Sequence, residues 1–278
     1  MPTIHLGLSA LLIYKDKKMR VKKIRKIEYL FAIIIWIGIW QVFSIRVDRM
    51  IFLPSPFEVG KAFLRIGKTG EFYASAGNSL LHVFSGFFLA VIVGSLLAVL
   101  SFSHRFFQAF LQVPIKLIQA TPVASFTILA LVWISSKHLS ILVSFLMVFP
   151  TITINVKQGL LEADQKLLEM AQVYHMSYIR KIRYIYLPAV MPYFLSACSI
   201  GVGMSWKSGI AAEVIGITKH SIGNQLYQAK LYLMTPELFA WTFVIVFISL
   251  LVEYGVVQLI GLWKKQLEGT TEEEKGRK

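Results

Sequence analysis

The sequence has few of the residues on which metal, redox and phosphate-binding sites depend. Its 278 residues include one cysteine, Cys198, which lies in an apolar run, so neither a disulfide nor a thiolate metal site is supported. The histidines are scattered without metal-ligand spacing. The Gly-Lys-Thr at residues 67–69 has Ala62 where a phosphate-binding loop needs its first glycine. These absences argue against a metalloenzyme and against an ATPase.

Charged residues are also scarce, and apolar residues take their place. The chain is 16% charged and 56% hydrophobic, with a mean hydropathy of +0.63. Soluble domains carry more charge and fewer apolar residues, so this composition predicts a polytopic membrane protein. The net charge of +14 does not indicate nucleic-acid binding, because the basic residues form short clusters beside apolar runs, as they do when they set membrane orientation.

Six apolar runs are long enough to cross a bilayer as helices, which takes about 20 residues each. Their length favours helices over the strands of a membrane barrel, which would alternate over about ten residues. The predicted fold class is therefore all-α integral membrane, with six transmembrane helices. The predicted spans are residues 28–45, 80–102, 115–134, 139–156, 189–210 and 238–263.

The basic residues divide unequally between the two sides of these spans. With the N-terminus in the cytoplasm, twenty of the 29 lie inside, eight lie outside and Lys207 stays within a span. This asymmetry predicts that both termini are cytoplasmic. Residues 1–27 then form a basic cytoplasmic segment, 28–265 the membrane domain and 266–278 a cytoplasmic tail. A basic lead into the first span directly follows Met19, which predicts that translation starts there and that residues 1–18 are not native.

Two further local signals lie between and within the spans. Ser55, Pro56 and Glu58 form a capping box, which predicts a short surface helix over residues 56–66. Prolines at 114, 122 and 150 fall within or beside the third and fourth spans, where each removes a backbone hydrogen bond. Kinks that line a pathway and ordinary packed kinks both remain open.

A polar, basic stretch lies between the fourth and fifth spans, at residues 162–188. Its apolar residues form two groups rather than one stripe, with Leu168 in the first, Ile182 in the second and a break near His175. This pattern predicts two short helices joined by a turn, at about residues 162–186. Because the charge asymmetry places the stretch in the cytoplasm, it suits a protein partner better than a small ligand.

The same stretch resembles the EAA motif of the membrane-spanning subunits of bacterial ABC importers. That motif reads Glu-Ala-Ala, three residues, Gly, nine residues, Ile, one residue and Leu-Pro. Five positions match at the family spacing, namely Glu169, Ala171, Ile185, Leu187 and Pro188. Met170 replaces the first alanine, and His175 replaces the glycine. Histidine adopts positive φ more often than most residues, so the turn is retained at some cost.

The resemblance covers about residues 22–265, through segments such as LPSPFEV, TPVASFTILALVW and SIGNQL. They are similar to the branch that imports nitrate, sulfonates and taurine in the bacterial cytoplasmic membrane. The resemblance implies the type I ABC importer permease fold, in a homodimer or pseudo-dimer. It also implies a cytoplasmic ATPase dimer that binds ATP and Mg, and an external solute-binding protein. The chain itself would hold no cofactor and would not be an enzyme.

The resemblance implies candidate roles for single residues. Glu169 contacts the ATPase or is a solvated charge on a helix face. Ala171 allows close approach of the partner or reflects helix propensity. Pro188 begins the fifth span, where its missing donor costs little. The full candidate set for ATPase coupling is Glu169, Met170, Ala171, His175, Ile185, Leu187 and Pro188.

Lys207 stands within the fifth span, where a charge is costly and usually paired or hydrated. It lines the path and attracts an anion, extends to the outer interface, or pairs with Glu213. The candidate path residues are Lys207, Trp206, Glu213, Thr121 and Pro122, although Trp206 also suits packing or the membrane interface.

Several alternatives remain open at this point. The same machinery would also serve a thiamine-precursor pyrimidine or a similar heterocycle instead of a small anion. A secondary transporter would show inverted repeats and intramembrane carboxylates, neither of which is clear in the sequence. A coupling subunit of the energy-coupling-factor type would carry Ala-Arg-Gly signatures, which are not found.

Overall fold

The computed structural model describes residues 26–47 and 52–276, and the regular elements in these ranges are helices. We number the α-helices α1 to α11 in chain order; a π-helical turn, Ile182–Tyr186, links α8 to α9. The α-helices are Lys26–Val47, Pro56–Ile66, Gly70–Ser103, Arg105–Ala120, Val123–Ala130, Ser136–Leu161, Gln165–Val173, Tyr178–Lys181, Leu187–Gly216, Ile222–Leu231 and Thr235–Gly276. Residues 1–25, including the predicted start at Met19, lie outside the described ranges.

The chain divides into two compact units at Glu58. In the first, Leu53 lies beside the end of α1, where Ser44 Oγ donates to the Leu53 carbonyl oxygen at 3.0 Å. The predicted capping box is present, because the Ser55 amide donates to Glu58 Oε2 at 2.8 Å and the Glu58 amide donates to Ser55 Oγ at 3.3 Å. Helix α2 therefore starts at Pro56 and ends at Ile66, as predicted.

The second unit is built around α6, which packs against α3 on one side and α9 on the other. Small residues allow the close approach. A Cβ added at Gly86 on α3 would meet the Ile141 carbonyl oxygen, and would lie 2.8 Å from Ser144 Cβ. A Cβ at Gly159 on α6 would lie 2.7 Å from Val190 Cα. Backbone-to-backbone packing of this kind is how membrane helices associate where lipid supplies no hydrophobic drive.

Five helices are long and apolar enough to cross a membrane, at Leu30–Val47, Gly70–Ser103, Ser136–Leu161, Tyr178–Gly216 and Thr235–Val256. They correspond to five of the six predicted spans. The helix of the last span, α11, is longer than the span itself, because it continues beyond Val256 to Gly276. The predicted third span, residues 115–134, falls on the bent pair α4 and α5, which makes a sixth span if the pair crosses as one.

The third span is broken. Helices α4 and α5 meet at an angle of 106°, so together they form either a bent crossing or a re-entrant loop. Thr121 is extended (φ −86°, ψ 128°), a conformation favoured because the ring of Pro122 disfavours the helical conformation of the residue before it. By contrast, Pro114 and Pro150 lie inside continuous helices, and Pro150 is buried.

Candidate functional site

The stretch that resembles the EAA motif contains a helix and a tight turn. Helix α7 ends at Val173 and is capped by Tyr174, and His175 takes a left-handed conformation with φ of 48°. The Met176 amide donates to the Ala171 carbonyl oxygen at 2.8 Å, and the His175 amide donates to that of Gln172 at 3.1 Å. These two bonds form a Schellman motif. His175 thus holds the positive φ predicted for it.

The second arm is not a separate short helix, which corrects the prediction of a pair. Helix α8 runs through the π-helical turn into α9. At the junction the Leu187 amide donates to the Ile182 carbonyl oxygen, five residues back. Pro188 has no amide hydrogen to donate, and it lies in the first turn of α9, directly after the π-helical turn. The helical path therefore continues past the proline into the membrane span.

The motif residues divide into buried and exposed positions. Ala171 and Ile185 are 1% and 7% exposed and lie in one small cluster with Ala163, which holds the two arms against each other. The remaining candidate residues are exposed, namely Glu169, Met170, His175, Leu187 and Pro188. Ala171 thus serves packing within the chain, while Glu169 and Met170 present their side chains outward.

Large apolar side chains flank the turn and face outward. Their exposed fractions are 73% for Val173, 77% for Tyr174, 72% for Tyr178 and 78% for Ile179. Exposed apolar groups gathered around one turn are typical of a contact surface for another protein. We call these four residues the turn knob. Sequence reasoning missed it, because the motif marks positions 169–171 and 185–188 and gives no sign of which neighbours point outward.

Glu213 is fully buried where α3, α9 and α10 meet. Ser79 Oγ donates to its Oε2 at 2.7 Å, and the Gly223 amide donates to the same oxygen at 3.2 Å. The Ile222 amide donates in turn to Ser79 Oγ at 2.9 Å. Glu213 and Ser79 thereby provide one acceptor each for two amides at the start of α10, which have no partner within that helix. A buried carboxyl group inside a span was not expected from the sequence, and here it joins three helices.

Trp206 and Lys207 lie seven and six residues before Glu213 on α9. Lys207 is exposed, whereas Trp206 is 1% exposed and donates from Nε1 to the Ile245 carbonyl oxygen at 3.0 Å. No ion pair joins Lys207 to Glu213 among the residues that the structure describes. Lys207 and Glu213 are six residues apart, which places Glu213 about 240° beyond one full turn around the helix axis. The two side chains therefore point in different directions from α9. The pairing alternative is therefore wrong.

The remaining two path candidates lie at the break between α4 and α5. Thr121 is half-buried and donates from Oγ1 to the Leu117 carbonyl oxygen at 2.7 Å, while Pro122 is exposed. The five candidates therefore occupy three environments: an exposed site on α9, an enclosed helix junction, and the bend of the broken span.

A cleft of about 280 Å³, lined by both polar and apolar side chains, opens between the end of α3, α4 and α6. Lys116 and Lys157 line it, together with four glutamines and two hydroxyl side chains. Sequence reasoning did not select these residues. A signal was present, because Gln108, Gln112 and Lys116 recur every four residues along one face of α4.

Comparison with known proteins places the chain in a family. The family model of the binding-protein-dependent transport system inner membrane component matches residues 86–260. The chain belongs to this family. It is a family of membrane permease subunits of ABC transporters, in which ATP hydrolysis lies in a separate subunit. The secondary-transporter and energy-coupling-factor alternatives do not fit this permease.

Two relatives and one solved structure show the extent of the similarity. The permease is 25% identical over 238 residues to a protein of Bacillus subtilis (strain 168) named as a candidate aliphatic sulfonates transport permease, SsuC, covering 84% of this chain and 86% of that one. It is 25% identical over 223 residues to the taurine transport system permease protein TauC of Escherichia coli (strain K12), covering 78% and 81%.

The solved structure is that of an amino acid ABC transporter with histidines. Its chain superposes with a TM-score of 0.59 at 19% identity, and the match covers 73% of this chain and 98% of that one. This likeness bears on the fold alone. The predicted type I ABC importer permease fold is confirmed, and the chain is a multi-pass membrane protein.

Proposed function

We propose that this permease forms the path through which an ATP-driven importer takes up a small anionic solute, such as a sulfonate, taurine or nitrate. A cytoplasmic ATPase dimer binds ATP and Mg and drives the cycle, and an external solute-binding protein delivers the substrate. The observation that carries the coupling part is the turn knob, because four large apolar side chains around one turn lie mostly exposed within the stretch that resembles the EAA motif.

The geometry suits the transmission of a rigid-body movement from the turn knob to the membrane span. The Schellman turn at His175 fixes the angle between α7 and the second arm, and the cluster of Ala171 and Ile185 packs the two arms together. Because the second arm continues into α9, a displacement at the turn is transmitted along one helical path toward the membrane span. Rigid-body movement of this kind is one of the common ways in which a partner drives a transition.

The distribution of charge and the family support a membrane orientation and an assembly for the permease. Both termini and the turn knob lie in the cytoplasm, which the excess of basic residues on that side supports. Two copies form a homodimer, so that each ATPase subunit receives one turn knob. Glu169, exposed on α7 beside the turn knob, pairs with a basic group of the ATPase groove.

The anionic solute is supported by two relatives and by the charge of the cleft. SsuC and TauC are named for aliphatic sulfonates and taurine, which both carry a sulfonate group. Lys116 and Lys157 line the cleft of this chain. Calorimetry of the companion solute-binding protein against taurine, methanesulfonate and nitrate tests this part. Binding of a neutral heterocycle with no binding of these anions would contradict it.

Co-purification in detergent tests the docking part. We expect the tagged full-length chain to retain its ATPase on an affinity column, and Tyr174→Glu to lose it, because a charge in an apolar contact is costly. Tyr232→Glu is the matched control, since Tyr232 is also a tyrosine at the end of a helix and is 67% exposed. Equal retention of the ATPase by both variants would show that the turn knob is not the contact.

A further inference from the structure

Helix α4 has two chemically different exposed faces. One carries Phe106, Phe110, Val113 and Leu117, which are 62% to 73% exposed. The other carries Gln108, Gln112, Lys116 and Gln119, which line the cleft between α4 and α6. These spacings set the two stripes on roughly opposite sides of one helix. In an apolar membrane chain, a stripe of amide and ammonium groups is stable only where it meets water or polar protein groups.

Helix α6 supplies the facing wall with the same character. Thr153, Lys157 and Leu161 recur at four-residue spacing and line the cleft, and Gln158 adds an amide beside them. Lys157 is half-buried, so part of its hydration is already replaced by protein. Leu111 and Ile115 of α4 pack into the core beside Ile152 and Val156 of α6, which holds the two walls at a fixed separation.

The side chains that line the cleft carry a net positive charge. Its lining includes two lysines and no aspartate or glutamate, and neither lysine forms an ion pair with any residue that the structure describes. The nearest acidic group by sequence is Glu162, whose Oε1 accepts from Gln158 Nε2 at 2.9 Å at the rim. Thr153 Oγ1 already donates to the Phe149 carbonyl oxygen, but the two ammonium groups and the glutamine amides around about 280 Å³ still offer several donors to an oxyanion.

We propose that this cleft binds a small oxyanion, with Lys116 and Lys157 supplying the charge and the glutamine amides supplying hydrogen bonds. The site lies near the ends of α3 and α6 that adjoin the turn-knob segment, and it therefore holds the anion on the cytoplasmic side of the path before release. That position in the transport cycle rests on the proposed function, whereas binding of the oxyanion does not.

Two sources offer this chemistry, a free sulfonate or similar solute and the phosphodiester of an anionic lipid headgroup. Both present a tetrahedral centre with one negative charge and several acceptor oxygens. The experiment separates them by placing the protein in nanodiscs of phosphatidylcholine or of phosphatidylglycerol, with or without methanesulfonate in the buffer.

The reaction rate of a thiol placed in the cleft measures the local electrostatic potential directly. In full-length protein carrying Cys198→Ala, Leu161→Cys becomes the single thiol lining the cleft, at an exposed position that supplies no donor to the anion. We expect an anionic methanethiosulfonate reagent to react faster than a cationic one. Lys116→Met with Lys157→Met should lower this rate ratio by about fivefold or more, because two nearby charges are removed. Lys116→Arg with Lys157→Arg should preserve it. The readout requires neither transport nor a bound ATPase, so its failure is distinct from failure of the proposed function.

Protection of the thiol from modification identifies which anion occupies the cleft. Slower modification with methanesulfonate in phosphatidylcholine nanodiscs supports a free solute, and slower modification only in phosphatidylglycerol supports a lipid headgroup. No protection by either, or a rate ratio that the two lysines do not change, would overturn the proposal. The protection arm uses the natural lysines, so the test stands even if the methionine variants do not fold.

Discussion

Ser79 Oγ lies 2.7 Å from Glu213 Oε2, across 134 residues of sequence, and this bond fastens α3 to α9. Because Ser79 Oγ also accepts the Ile222 amide, the pair fixes the start of α10 as well. We expect Glu213→Ala to destabilise the protein by about 3 kcal/mol or more, since it leaves buried donors without an acceptor. The measurement is thermal unfolding in detergent, followed by the loss of monodisperse protein.

Ser208→Ala is the matched control for this prediction. Ser208 is buried on the same helix, but its hydroxyl donates to the Met204 carbonyl oxygen of its own helix at 2.8 Å. Its removal should cost well under half as much, because that carbonyl retains its helical bond. Similar losses of stability in the two variants would show that the junction at Glu213 is not a special point of attachment.

Gly86 and Gly77 on α3 provide a second pair. Gly86→Ala should destabilise the packing of α3 on α6, because its Cβ would meet the Ile141 backbone and Ser144 Cβ. Gly77→Ala should stabilise α3 by up to about 1 kcal/mol, since an added Cβ meets nothing within 4 Å and alanine favours the helix. Thermal unfolding of both variants checks the opposite signs. A stabilising Gly86→Ala would contradict the close approach of these helices.

The turn at His175 gives a prediction on coupling. His175→Gly should keep or improve ATPase coupling and raise stability by about 1 kcal/mol, because glycine adopts φ of 48° without the steric cost of a side chain. His220→Gly is the control, since His220 has φ of 53° in a different turn, and it should affect stability without affecting coupling. Substrate-stimulated ATP hydrolysis is the assay. Reduced coupling in His175→Gly alone would mean that the imidazole itself makes the contact.

Charge reversal at Glu169 tests its assigned partner. Glu169→Lys should abolish coupling, because it places a like charge against the basic group of the ATPase groove. Gln165→Lys introduces a positive charge one turn earlier on the exposed side of α7 and should retain most of the activity. Both variants are scored by stimulated ATP hydrolysis and by co-purification. Loss of coupling in both would indicate a general effect of charge rather than a specific contact at Glu169.

Local sequence signals predicted local structure well in this chain. The capping box at Ser55 and Glu58 and the left-handed residue at His175 each depend on fewer than seven neighbouring residues, so spacing alone defines them. In the third span Pro122 indicated a kink, but average hydropathy over residues 115–134 is insensitive to the backbone angle at Thr121, so the 106° size of the bend was not predicted. The local restriction imposed by Pro122 was the available signal.

Long-range features could not be predicted in the same way. No spacing rule connects Ser79 to Glu213, and the facing positions of Lys116 and Lys157 depend on how α4 packs on α6. The motif resemblance marked the turn, but not the outward direction of Tyr174 and Ile179. Burial is a property of the packed chain, so these parts of the site became visible only with the fold.

Transport by the reconstituted complex tests the central claim most directly. The permease, its ATPase and its solute-binding protein are placed in proteoliposomes, and uptake of radiolabelled taurine is followed with and without ATP. We predict that uptake requires ATP, requires the binding protein, and stops when the ATP site of the ATPase is disabled by mutation. Uptake that follows an imposed ion gradient, without ATP or with the disabled ATPase, would contradict the account.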